Sequence, residues 1–142
     1  MRTVLTALGM IAFVLAAPAL AQADAHADAA KAYRIETSQA PLKVKRGEQG
    51  QAKVTVVPRS DAHVSPDAPV TVTISGGPAL ELPKQKLGRA EAHPTAAKGV
   101  EFDIPFTAAA NDKVEGTLSF FICTESLCEK QKREIALAVE VE

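Results

Sequence analysis

Short runs of alternating apolar and polar residues, separated by prolines and glycines, constrain the fold of this chain more than any other sequence feature. Alternation with a period of two is the pattern of strands that bury one face. No window after Tyr33 keeps apolar residues at helical spacing for three turns. Five runs show the alternation clearly and four weaker ones accompany them: residues 52–56, 70–75, 100–107, 117–122 and 134–141, then 33–37, 42–45, 80–82 and the surroundings of Leu87.

The number and spacing of these runs predict the fold class. Seven to eight short strands bounded by turn residues are typical of an immunoglobulin-like antiparallel β-sandwich. The chain contains no tryptophan, so the prediction depends on strand count and not on the buried tryptophan of antibody domains. We expect residues 33–142 to form the sandwich, as an all-β domain.

The first residues have the pattern of a secretory signal peptide, assigned to residues 1–21. Arg2 precedes an apolar run, Pro18 ends that run, and residues 19–21 (Ala-Leu-Ala) have the small-x-small pattern of a cleavage site. Ala23 and Ala27 offer alternative cleavage points. The other interpretation is an uncleaved membrane anchor, but a membrane span needs about 20 apolar residues and this run is shorter.

The segment after the leader, residues 22–32, is alanine-rich and polar, and we expect it to be a flexible lead-in. About 120 residues remain after cleavage, enough for one domain. Without Arg2 the 16 basic residues fall to 15, against 17 acidic ones, which argues against a nucleic-acid partner. We expect a monomer in the periplasm or secreted, not spanning the membrane after cleavage, and no cofactor.

The chain contains two cysteines, Cys123 and Cys128, separated by four residues. If residues 124–127 form a hairpin loop, the two cysteines lie opposite each other on adjacent strands, close enough for a disulfide at one kind of ladder position. An exported chain with no competing cysteine should form that bond.

Whether the bond is structural or reactive is open at this stage. A loop of about six residues gives on the order of 2 kcal/mol in the chain-entropy model, much less than a long loop would. Disulfides that are exposed are the ones that exchange, whereas many hairpin disulfides only rigidify a turn. Phe121 is predicted on the face opposite Leu118, Phe120 and Ile122, where it either shields the disulfide, contacts a partner or fills a second part of the core.

The segment 114–120, the C-x4-C pair Cys123 and Cys128, and the closing strand 135–141 together resemble the amino-terminal periplasmic domain of DsbD-type thiol:disulfide interchange proteins. Residues 63–70 and 80–87 are similar to the central portion of the same family. The resemblance covers most of the chain from about Leu42 onward.

This resemblance implies an immunoglobulin-like fold in which Cys123 and Cys128 relay electrons by disulfide exchange. The implied partners are a membrane-embedded thiol reductase and periplasmic oxidoreductases. Two features depart from the family: residues 129–132 (Glu-Lys-Gln-Lys) are charged and contain no proline, and one sandwich stands without the membrane and thioredoxin-like domains.

Two hypotheses therefore remain. The first is an exported redox module that uses Cys123 and Cys128 as catalytic residues. The second is a non-catalytic periplasmic sandwich, a binding or assembly module whose disulfide clips a turn. Metal binding has weak support, because His26, His63 and His93 lack ligand spacing.

Overall fold

The computed structural model describes residues 19–142, so most of the predicted signal peptide lies outside the described residues. The described chain begins with a helix, α1 (Ala19–Lys31). The composition of residues 22–32 predicted a flexible lead-in, whereas the structure has a helix over most of this segment. Alanine is the strongest helix former, and its small side chain lets the helix lie close to the sandwich: Ala29 in the helix and Ala32 just after it are fully buried.

Eleven strands and one short 3₁₀ turn (Arg89–Glu91) follow the helix. The five clear sequence runs correspond to the long strands, and the weaker ones also form strands. Two short strands, β4 and β8, are missed by the alternation pattern because two or three residues are too few to show it. The strands are β1 Tyr33–Thr37, β2 Leu42–Val44, β3 Gln49–Pro58, β4 His63–Val64, β5 Thr71–Gly76, β6 Leu80–Glu81, β7 Lys86–Leu87, β8 Ala92–Pro94, β9 Val100–Ala108, β10 Asp112–Cys123 and β11 Cys128–Val141.

The strands form two sheets. In the first sheet the order is β1-β3-β9-β6, and β8 also pairs with β9. In the second the order is β2-β11-β10-β5-β7, and β4 also pairs with β10. Every pairing is antiparallel except that of β2 with β11, which is parallel. The long hairpin of β10 and β11 runs in continuous register from Asp112 opposite Val139 to Cys123 opposite Cys128.

The core lies between the two sheets and is made by the alternating apolar residues. In β9 every second residue is buried, from Val100 to Ala108, and in β10 the inward residues include Leu118, Phe120 and Ile122. Burying a large apolar side chain contributes about 1.5–3 kcal/mol, so these strands stabilise the domain far more than any surface contact. The predicted immunoglobulin-like β-sandwich is confirmed, with eleven strands in place of the expected seven to eight, because strands such as β4 and β8 are too short to show alternation.

Candidate functional site

The two cysteines lie at the closed end of the hairpin formed by β10 and β11. Cys123 ends β10, Cys128 begins β11, and their Cα atoms are 3.9 Å apart. Their sulfur atoms form a disulfide, as the sequence analysis predicted. The chemical role of the pair stays a prediction.

The four-residue loop between the cysteines is ordered by its own hydrogen bonds. The backbone N–H of Thr124 donates to the carbonyl of Leu127 at 2.8 Å. The Thr124 hydroxyl oxygen accepts from the backbone N–H groups of Ser126 and Leu127, at 3.3 and 3.4 Å. Bonded and non-bonded pairs alternate along an antiparallel ladder, so the cysteines next to this bonded pair occupy a non-hydrogen-bonded position. That position brings opposed side chains closest together.

The two cysteines differ in exposure. Cys123 is 3% exposed, whereas Cys128 is exposed to solvent. The difference follows from the neighbours of each strand. β10 is flanked at this point by β11 and by β4, where His63 lies opposite Cys123. β2 pairs with β11 only over Val139–Val141, so within residues 19–142 the hairpin end of β11 is a sheet edge. An incoming thiolate can therefore approach Cys128 more readily than Cys123.

Phe121 lies on the outer face of the sheet together with Cys123, because residues two apart in a strand share a face. It is half-buried, and its partner across the hairpin is Lys130. Of the three alternatives for Phe121, filling the core between the sheets is excluded by this position. Phe121 and Cys123 therefore share the face of the sheet that points away from the core.

The inner face of the same hairpin carries a polar cluster, defined here as Tyr33, Glu129, Gln131 and Arg133. Tyr33 donates a hydrogen bond from its hydroxyl to Gln131 Oε1 at 3.0 Å. Gln131, only 8% exposed, donates from Nε2 to Glu129 Oε2 at 3.3 Å. The guanidinium carbon of Arg133 lies 5.2 Å from the centre of the Tyr33 ring, a cation–π distance. Buried polar groups are tolerated when they are bonded in this way.

Helix α1 covers this polar cluster from outside. His26 Nδ1 lies 2.9 Å from Glu129 Oε1, and Arg133 donates to the Ala30 carbonyl at 3.4 Å. The charged segment 129–132 thus makes specific contacts in this fold. Its odd-numbered residues contact α1 and β1, and its lysines face outward on the exposed side of β11.

Burial raises the pKa of the Tyr33 hydroxyl above its ordinary value, because removal from water disfavours the charged phenolate. The charge of Arg133 acts in the opposite direction and lowers the pKa, but burial is the larger effect. Tyr33 also packs edge-to-face on Phe120, with ring centres 4.8 Å apart. The polar cluster is therefore attached directly to the core beneath the disulfide hairpin.

The three histidines lie in different places. His26 contacts Glu129, His63 lies opposite Cys123, and His93 Nε2 is 3.6 Å from Asp103 Oδ2. Over residues 19–142, no three side chains of the His, Cys, Asp and Glu types gather into a metal-binding group. In the same part of the chain, no helix combines the length and apolar character needed to cross a bilayer.

Comparisons with known proteins place the chain in no family: no protein-family model matches it, and no curated protein does. Several solved structures are similar in part. A chain from the complex of zinc α2-glycoprotein and prolactin-inducible protein of human seminal plasma is 13% identical. The match has a TM-score of 0.49 and covers 76% of this chain and 93% of that one.

Two structures from Escherichia coli are also similar. The fimbrial subunit AggA is 10% identical, with a TM-score of 0.43 over 78% of this chain and 94% of that chain. Trypsin-activated α2-macroglobulin is 12% identical, with a TM-score of 0.47 over 78% of this chain and 7% of that one. Similarities of this size carry no inference about function, so the class of protein is defined by its own fold and site: an immunoglobulin-like sandwich with a disulfide at a hairpin end.

Proposed function

We propose that this chain is an exported thiol:disulfide exchange domain, similar in role to the amino-terminal periplasmic domain of DsbD-type interchange proteins. The observation that carries the proposal is the exposure of Cys128 in a disulfide that closes only a short loop. Such a bond adds about 2 kcal/mol in the chain-entropy model. An exposed bond of this kind is suited to exchange because a thiolate can reach one of its sulfurs.

The exchange reaction follows from the unequal exposure of the two cysteines. A thiolate of a reduced partner attacks Cys128 Sγ, and the bond to Cys123 breaks with Cys123 leaving as a thiolate that takes up a proton. The partner's second thiolate then attacks the partner's first sulfur, which is bonded to Cys128 Sγ in the mixed disulfide. This attack forms the partner's disulfide and releases Cys128 as a thiolate, which takes up a proton. Two electrons and two protons pass from the partner dithiol to this chain. The reverse sequence reduces a second partner.

The surroundings of Cys128 support contact with a partner protein. The outer side of β11 carries Lys130 and Lys132, both exposed, on the same face as Cys128. Positive charge near a thiol favours the thiolate. The acidic Glu129, the nearest carboxylate in sequence, faces inward and contacts His26. The implied partners are a membrane-embedded thiol reductase and periplasmic oxidoreductases.

The second candidate function is a non-catalytic binding or assembly domain, in which the bond only clips the hairpin. The observation that favours it is the ordered loop between the cysteines. The Thr124 hydroxyl accepts hydrogen bonds from the backbone N–H groups of Ser126 and Leu127, so this segment already has the conformation of a rigid turn. In that case the disulfide would extend a ladder that is in register up to its last residue pair.

Trapping in the cell envelope separates the two functions, with a matched pair of variants. Cys123→Ser leaves the exposed Cys128 thiol, and the mixed disulfide that this thiol forms with an oxidised partner persists because Cys123 is no longer present to resolve it. Cys128→Ser leaves only the buried Cys123. We expect covalent adducts with Cys123→Ser and at least about tenfold fewer with Cys128→Ser, as seen on non-reducing gels followed by mass spectrometry.

The reduction potential of the wild-type pair provides the second measurement. Structural disulfides in exported proteins have potentials below about −300 mV, whereas exchanging ones are higher. The redox function is excluded if both variants are folded, neither forms adducts, and the potential lies below that limit. The clip function then remains.

A further inference from the structure

A cavity separate from the disulfide lies between β4 of the second sheet and the pair β8 and β9 of the first. Its volume is about 580 Å³, within the range of small-molecule sites in proteins. The apolar part of its lining includes Val64, Pro66, Ala92 and Val100. Val64 and Val100 are 7% and 3% exposed, so the floor is continuous with the hydrophobic core.

Backbone hydrogen bonds hold the walls of this cavity in place. The N–H of Val64 donates to the carbonyl of Lys98 at 2.9 Å, which ties β4 to the turn before β9. Within that turn, Gly99 donates from its N–H to the Thr95 hydroxyl at 3.0 Å. Lys98 itself has a φ of 60°, the left-handed conformation of a tight turn. A preformed cavity binds a ligand without the cost of ordering its walls.

Every ionisable residue that lines this cavity is basic. These residues are His63, Arg89 and Lys98, and no acidic residue lines the cavity. Arg89 donates from Nη2 to the carbonyls of Ser65 and Ala68. Its Nε and Nη1 make no hydrogen bond within residues 19–142, and Lys98 makes no ion pair with the part of the chain that the structure describes. Lys84, five residues before Arg89 in the sequence, differs because its ammonium group is paired with Glu91 at 2.8 Å.

We propose that this cavity binds a small amphiphilic anion, with an apolar body on the floor formed by Val64 and Val100 and a carboxylate at Arg89 and Lys98. An apolar body alone would leave the basic groups without a counter-charge. A guanidinium with free N–H groups is a strong partner for a carboxylate. The inference rests on charge complementarity and shape, and it does not depend on the redox role of the cysteines.

The test uses decanoate as the probe, at concentrations below its aggregation threshold. Binding is followed by the backbone amide shifts of the ¹⁵N-labelled protein, lacking the predicted leader. We expect decanoate to shift the amides of Val64, Gly99 and Val100. Decanol and decylammonium, which share the apolar chain, should bind at least about tenfold more weakly because they lack the charge-assisted hydrogen bonds.

Three variants check the location of the site. Lys98→Asn removes the charge and keeps a residue that tolerates the left-handed backbone, so we expect about tenfold weaker decanoate binding. Ala92→Phe places a ring in the cavity and should prevent binding of decanoate while the fold is retained. Lys45→Asn, at an exposed lysine that does not line the cavity, is the matched control and should leave the affinity unchanged.

Several results would overturn the proposal. Equal binding of decanol or decylammonium would show an apolar site without charge selection. Unchanged binding in Lys98→Asn and Ala92→Phe, or shifts confined to other parts of the sandwich, would place decanoate elsewhere. Binding of an acidic apolar peptide by a protein that does not bind decanoate would assign the cavity to a protein partner and contradict a small-molecule ligand.

Discussion

Tyr33 shows at the scale of a single residue how the polar cluster is integrated into the core. Its ring packs on Phe120 and under the guanidinium of Arg133, and its hydroxyl reaches the buried Gln131. An amphipathic aromatic side chain suits this place, because its ring is buried while its hydroxyl finds a partner. Strand alternation predicts that Tyr33 faces inward, but not that its partners are polar.

The Tyr33 hydroxyl should titrate above the ordinary value of 10.0. Its raised pKa favours the neutral phenol in the folded state, so its contribution to stability is complete below about pH 10. That contribution is lost as the pH rises through the pKa of the folded state. Because Tyr33 is the only tyrosine, its tyrosinate absorbance measures the titration directly.

The Arg133→Gln variant is the control for this titration. The positive charge of Arg133 lowers the Tyr33 pKa, so its removal should move the midpoint still higher. A wild-type midpoint at or below that of the urea-unfolded chain would contradict the burial of the hydroxyl.

At the scale of elements, α1 is the feature that alternation does not predict. The helix packs against β1 and β11, and Ala29 within it and Ala32 just after it are fully buried. Beside Ala29, Asp28 forms an ion pair with Arg59 at 3.1 Å. Exposed ion pairs contribute little to stability, so the docking of α1 depends mainly on the close approach that alanine allows. The helix bears on the site because it also contacts Glu129, the residue after Cys128.

A pair of substitutions in α1 tests this docking. Ala29→Glu places a carboxylate against the sandwich where no space or partner is provided, and the cost of an unpaired buried charge should detach the helix. We expect amide hydrogen exchange in α1 to become at least about tenfold faster. This change corresponds to a loss of about 1.4 kcal/mol in the free energy of opening the helix. The strands of the sandwich should keep their protection.

Ala27→Glu is the matched control, since Ala27 is exposed on the same helix. It makes the same chemical change and should leave exchange in α1 within about a factor of two, because exposed substitutions alter stability by less than about 0.5 kcal/mol. Equal acceleration in both variants would show that α1 is not held through Ala29.

At the scale of the whole molecule, the core stabilises the sandwich, whereas the disulfide stabilises only the end of one hairpin. The core is formed by β3, β5, β9, β10 and β11, whose pairings join distant parts of the chain. The disulfide joins residues only five apart in sequence. A bond of this kind restricts few conformations of the unfolded chain, so the sandwich does not depend on it.

Replacement of both cysteines by alanine should therefore leave a folded sandwich. The expected loss of unfolding free energy is about 2 kcal/mol, from the entropy of a six-residue loop, measured by urea unfolding of the variant and the oxidised wild type. Reduction of the wild type provides the control and should cost a similar amount. An unfolded double variant, or a loss above about 4 kcal/mol, would mark the bond as a main support of the fold.

Local patterns predicted the strands well and α1 poorly, for a physical reason that the residues show. In β9 and β10 the alternation of apolar and polar residues predicts which side chains are buried, because a strand has only two faces. In α1 and the residue that follows it, the buried side chains are those of two alanines, Ala29 and Ala32, which carry little hydrophobic signal. The strands β4 and β8 exist because longer neighbours pair with them, and two or three residues carry no period.

The sequence by itself determined the β-sandwich class and the opposition of Cys123 and Cys128, since alternation and a four-residue loop are local properties. Only the tertiary structure decided which cysteine is accessible. Cys123 is buried because β4 lies beside it, and Cys128 is exposed because β2 pairs with β11 only at its far end. The cavity beside β4 likewise depends on strands from both sheets. Such differences depend on which distant strands become neighbours, and no local pattern contains that information.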